Sequence, residues 1–148
     1  MLAGGTLVCA ASLLSAASPE AVQQAVDARV AHFKEIARAS KAIKDELGQS
    51  SPNLGTVQAN AKIIEARAGQ IPSWFPQGSG PQAGVKTEAL PAIWQQAPTF
   101  RQRAGGLAGA AHQIAAAAAS GDLAATQAAA GNLGGACKAC HDTFRQKK

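Results

Sequence analysis

Near the end of this chain Leu123, Thr126, Ala130, Leu133, Cys137, Cys140 and Phe144 recur at alternating steps of three and four. That spacing places apolar side chains on one face of an α-helix. Three earlier segments repeat it. The first carries Val22, Val26, Arg29, Phe33, Ile36, Ser40, Ile43 and Leu47, opens at Pro19-Glu20 and closes at Gly48. The second carries Leu54, Val57, Ala61, Ile64 and Ala68 after Ser51-Pro52-Asn53, and stops at Gly69. The third runs through Ile93, Ala97, Phe100, Ala104, Leu107, Ala111, Ile114 and Ala118, and the Ala run 115–119 keeps its register. Four stripes that must be buried together predict an all-α fold, an antiparallel four-helix bundle with small crossing angles.

Connections are short between the first and second helices and between the third and fourth, where Ser120-Gly121-Asp122 supplies the turn. Between the second and third lies IPSWFPQGSGPQAGVKTEALP, rich in Pro and Gly, so a longer crossing is expected there. Pro98 falls inside the third stripe and either kinks that helix or marks a later start.

With 148 residues, 47% of them apolar, the chain is long enough to bury one core. Its net charge of +5 is dispersed, and Tyr is absent. Without a basic stripe interleaved with stacking residues, nucleic-acid binding is not expected. Residues 1–17 are an apolar run ending in small residues, which reads as a secretory signal peptide cleaved after Ser15-Ala16-Ala17. The missing Lys/Arg start points to an initiator upstream, and a membrane anchor is the rival reading. Lipid attachment at Cys9 is disfavoured because Val8 precedes it. The mature domain is then 18–148, located in the periplasm, with no membrane insertion of its own. Removing the leader also removes Met1, the single Met of the sequence.

The mature chain keeps only Cys137 and Cys140, inside Cys137-Lys138-Ala139-Cys140-His141. C-x-x-C-H is the attachment signature of c-type haem. On a continuous helix the three side chains stand at i, i+3 and i+4, on one face. Two thiols about one turn apart can add to two vinyl groups of one porphyrin, and the adjacent imidazole then meets the iron. A disulfide explains the cysteines but not the histidine. A thioredoxin-like pair needs a βαβ setting. Zinc needs four ligands, to be drawn from these cysteines and His32, His112 and His141. Gly131, Gly134 and Gly135 precede the motif, where interior glycines cost up to about 1 kcal/mol each relative to Ala. Either a flat, bulky group or a neighbouring backbone approaches there, or the helix starts late or breaks near Gly134.

At this point the sequence resembles the cytochrome c′ family across essentially the whole mature chain. CKACHDTFR is similar to the family's C-K-x-C-H-x-x-[FY]-R. FPQGSG followed by KTEALPAIW resembles F-P-x-G-[ST]-G and the later T-x-A-x-P-x-I-W, and RVAHFKEI resembles a first-helix stretch over the haem's open face. The resemblance implies one covalent haem c near the C-terminal helix, with Cys137 and Cys140 as thioether anchors and His141 as the single protein ligand. It implies Arg145 beside the proximal imidazole, Arg29 against the haem near a propionate, and Thr87 and Glu88 at the haem edge. Phe33 falls where an apolar residue shields the distal side, and Val30 stands where a Gln is common. A homodimer is implied too. From the residues alone, Arg29 fits a propionate or a solvated place at the bundle rim, Phe33 fits a lid or core filler, and Trp74 and Trp94 fit pocket lining or ordinary packing. Arg145, Lys147 and Lys148 fit a solvated tail or a guide for an acidic redox partner.

Function turns on the sixth iron position. Relatives of this fold with low-spin haem use a Met on the first helix, and the mature chain has none. His32 is the remaining candidate, but it lies about 100° around the helix from Phe33, so both cannot point at the iron. The expectation is a five-coordinate, high-spin haem that binds NO and CO and acts in electron transfer or NO sequestration. Without a distal donor, a polar iron–oxygen adduct gains little, whereas NO and CO need less help. The alternative is a low-spin electron carrier ligated by His32. A peroxidase would need His32 and Arg29 both facing the iron, so no enzyme is expected.

Overall fold

The computed structural model describes residues 17–81 and 84–147. The proposed leader, with Cys9 and Met1, lies outside the described residues apart from Ala17, as does Lys148. Helix α1 spans Pro19–Leu47 and α2 Leu54–Gln70, followed directly by a 3₁₀ turn, Ile71–Trp74. A short α3, Ala92–Gln95, precedes α4, Ala97–Ala119, and α5 runs from Leu123 to Phe144. Helices α1, α2, α4 and α5 form the four-helix bundle. Among the described residues there is no strand, only an isolated antiparallel bridge between Ala89 and Arg145.

Helix starts follow local chemistry. The Ser18 side chain accepts from the Ala21 N–H with Pro19 in the first turn, Asn53 caps α2 through the Thr56 N–H, and Asp122 caps α5 through the Ala125 N–H. Gly121 adopts φ 76° in the reversal between α4 and α5, a conformation closed to most side chains. Pro98 marks a later start rather than a kink. Gln96 breaks the third stripe at φ −121°, ψ 43°, and Pro98 falls in the first turn of α4, where its missing N–H is harmless.

The core is densest between α2 and α4. Val57, Ala61, Ile64, Ala68, Ala111 and Ile114 are fully buried there, and the paired alanines let the two backbones approach closely. Two details differ from the sequence expectation. Helix α2 does not stop at Gly69, because the 3₁₀ turn continues it and buries Ile71. Leu123, in the first turn of α5, is 37% exposed rather than buried. The α5 stripe otherwise holds, with Thr126, Leu133 and Phe144 buried.

Candidate functional site

Helix α5 is continuous through the C-x-x-C-H motif, so Gly134 marks neither a break nor a late start. A Cβ built at Gly131, Gly134 or Gly135 would meet no protein atom within 4 Å, so no neighbouring backbone accounts for these glycines. Cys137 and Cys140 are half-buried free thiols, and His141, one position on, is exposed. Burial raises both thiols above their ordinary values, and the nearby Arg103 on α4 partly offsets this at Cys140. Burial of part of the ring, and then Arg145, lower the His141 imidazole, while Asp142 and Glu88 act the other way. The net effect favours the neutral ring, the form that ligates a metal.

The flanking elements are arranged unequally. Helix α5 packs along α4 for most of its length but meets α1 at only a few residues. On the α1 side, Arg29 is 3% exposed, and burial lowers its guanidinium. It donates from Nη1 to Ser79 Oγ at 3.0 Å, and from Nη2 to the Ser79 carbonyl at 2.9 Å and to Thr87 Oγ1 at 2.6 Å. Its carbon Cζ also lies 4.7 Å from the Phe75 ring centroid. Gly78, at φ 80°, turns the chain so that Ser79 reaches it. All these partners are neutral, and among the described residues Arg29 makes no ion pair. A buried cation held only by neutral groups is costly unless an anion completes its shell.

Phe33 is half-buried, edge-on to Trp74 at 5.3 Å and 6.2 Å from Phe75. From Phe75 the aromatic contacts continue to Phe100 at 5.1 Å and on to Phe144 of α5, also at 5.1 Å. His32 meets the same tryptophan. Its ring stacks on Trp74 at 4.7 Å and 28°, and its buried Nδ1 has no hydrogen-bond partner among the described residues. Trp94 donates to the Phe75 and Pro76 carbonyls, so it fixes the FPQGSG turn. Val30 points outward at 45% exposure.

The observed partners of Thr87 and Glu88 are protein groups. Thr87 receives Arg29, and Glu88 pairs with Arg145 at 2.6 Å. Arg145 is therefore not a free tail cation. His112 pairs with Glu65 at 2.9 Å on the outer surface. Among the described residues no three His, Cys, Asp or Glu side chains gather to hold a metal ion, so the zinc alternative has no ligand set there. Sequence reasoning missed Ser79, Phe75 and Arg103. Ser79 and Phe75 lie inside the quoted FPQGSG stretch, but nothing in its local pattern pointed to Arg29, 50 residues earlier.

These residues fit a haem. Two thiols and an imidazole share one helix beside space no protein atom fills, and a buried Arg short of a carboxylate suits a propionate. A sequence model of the family Cytochrome C′ matches residues 24–145. The cytochrome c′ of Pararhodospirillum photometricum is 38% identical over 135 residues, 88% of this chain and 100% of the relative. The crystal structure of cytochrome c′ from Thermochromatium tepidum superposes with a TM-score of 0.75 at 31% identity, covering 90% of this chain and 100% of that one. A nitric oxide complex of a variant of cytochrome c prime from Alcaligenes xylosoxidans superposes with a TM-score of 0.67 at 28% identity, covering 89% of this chain and 98% of that one.

Proposed function

The chain belongs to the cytochrome c′ family, whose members carry covalent haem c, and on that premise we propose a periplasmic protein whose iron takes one protein ligand and is open to NO and CO on the other side. Haem, when bound, supplies a redox-active iron with one exchangeable position. Cys137 and Cys140 anchor it through thioethers, and the neutral His141 imidazole ligates from α5. Arg29 offers its remaining N–H donors to a propionate, and Thr87 and Glu88 hold the haem edge. Phe33 shields the distal side, and Val30 covers the rim beside it with an aliphatic surface. Arg145 stands next to the proximal imidazole.

The observation that carries the one-ligand reading is the placement of His32. Its ring is occupied in the stack on Trp74, and the only Met of the sequence is Met1. With an apolar Phe33 in place of a hydrogen-bond donor, NO and CO are the ligands that gain most. The protein then lowers free NO or passes electrons. Arg29 is committed to Ser79 and Thr87, which argues against a distal acid–base pair and a peroxidase role. A homodimer is part of the same reading, and the outer groove between α1 and α2, where Ile63 is 46% exposed, is the surface offered for it.

Titrating the ferrous protein with NO and with CO while following the Soret band tests the reading. A shift with both gases is expected, and no shift with either ends it. The low-spin alternative draws on the unpartnered Nδ1 of His32. It requires the ring to leave Trp74, and it predicts no gas adducts.

A further inference from the structure

The segment around Thr87–Glu88 is tied to both sides of the site. Arg29 of α1 donates to Thr87 Oγ1 at 2.6 Å, and the Ala89 N–H shares that oxygen at 3.1 Å. The next side chain, Glu88, takes the end of α5. Arg145 donates from Nε at 2.7 Å to Glu88 Oε2, and its Nη2 lies 2.6 Å from the same oxygen. The backbone fixes the register independently of these side chains. The Leu90 N–H donates to the Phe144 carbonyl at 3.0 Å, and the Gln146 N–H donates to the Glu88 carbonyl at 2.8 Å.

Arg145 is thus held by a carboxylate 57 residues earlier in the chain. The pair is close to half-exposed, at 45% and 42%, and such pairs contribute little to stability. Its consequence lies in where it puts charge. Arg145 closes α5 one turn after His141, its N–H donating to the His141 carbonyl at 3.1 Å, so the pair is tied to the turn that carries the imidazole. Groups around a ligating imidazole tune the ligand and the metal behind it.

We propose that Glu88 is a positioning residue for the proximal side: it fixes the Arg145 guanidinium beside His141 and balances its charge, and through Thr87 it ties that setting to Arg29 on α1. The proposal rests on reading His141 as the iron's protein ligand. The iron's reduction potential then depends on a loop residue that need not touch the metal. Removing an anion near the iron favours the reduced state, and removing a cation favours the oxidised one.

The test is the reduction potential of the haem-loaded full chain for wild type, Glu88→Gln, Arg145→Gln and the double variant. Glu88→Gln is nearly isosteric and leaves the backbone pairing in place. The account expects the potential to rise in Glu88→Gln, fall in Arg145→Gln and return towards wild type in the double variant. An unmoved potential in Glu88→Gln, or single variants that shift in the same direction, overturns it and leaves the pair as a clasp for the tail. The ferrous Fe–His stretch in resonance Raman spectra separates this from the underlying reading. A wild type lacking that band fails the reading of His141 as the iron's one protein ligand. A wild type that shows it, with Glu88→Gln unmoved in potential, fails only the positioning role.

Discussion

The seam between α2 and α4 and the seam between α1 and α5 belong to the same bundle but follow different rules. The first is closed by protein alone. Val57, Ala61, Ile64, Ala111 and Ile114 have no exposed surface, and the one side-chain polar contact named across it, His112 with Glu65, lies at its outer edge. In the second the helices scarcely meet. Its side chains are half-buried thiols, an exposed imidazole and a buried guanidinium held by hydroxyls and a carbonyl. The first seam makes the fold. On the proposed reading, the second takes a haem that covers Cys137, Cys140 and His141 and supplies an anion to Arg29.

The largest expected effect breaks the second seam without touching the first. Replacing both cysteines, Cys137→Ser with Cys140→Ser, removes the covalent bonds. Haem staining after denaturing electrophoresis goes from full intensity to none, while helical circular dichroism of the chain persists. Retained stain in the double variant contradicts the anchoring.

A smaller effect sharpens the contrast from the other side. Ile64→Ala opens a cavity in a fully buried site and costs about 2–5 kcal/mol in denaturant unfolding. Val30→Ala, on the outward face of α1, changes stability by no more than about 0.5 kcal/mol in haem-free protein. A Val30→Ala cost approaching that of Ile64→Ala contradicts the outward placement of Val30. Smaller still is the loss of a cap: Asp122→Ala costs about 1 kcal/mol, read as a lower thermal midpoint.

The sequence made the first seam easier to read than the second. Steps of three and four residues located all four bundle helices, because a helix's buried face is written in local spacing. The role of Pro98 stayed open, since a proline fits a kink or a first turn equally well until Gln96 is seen to break the helix. The haem motif was legible because Cys137, Cys140 and His141 are neighbours in sequence. Its surroundings were not. Arg29 meets Ser79 and Thr87 across 50 and 58 residues, and Arg145 meets Glu88 across 57. Such contacts depend on how loops fold back, which no periodicity encodes. His32 shows the same limit, since its angle from Phe33 was readable but its stacking on Trp74 was not.

The central claim is that iron is held from α5 by His141 alone, opposite a face that Phe33 guards and no side chain occupies. Electron paramagnetic resonance of the ferric protein, together with optical spectra of both oxidation states, tests it most directly. The account predicts a high-spin ferric signal and a five-coordinate ferrous spectrum. A low-spin signal from a second axial side chain, with His32 drawn out of its stack on Trp74, would contradict it.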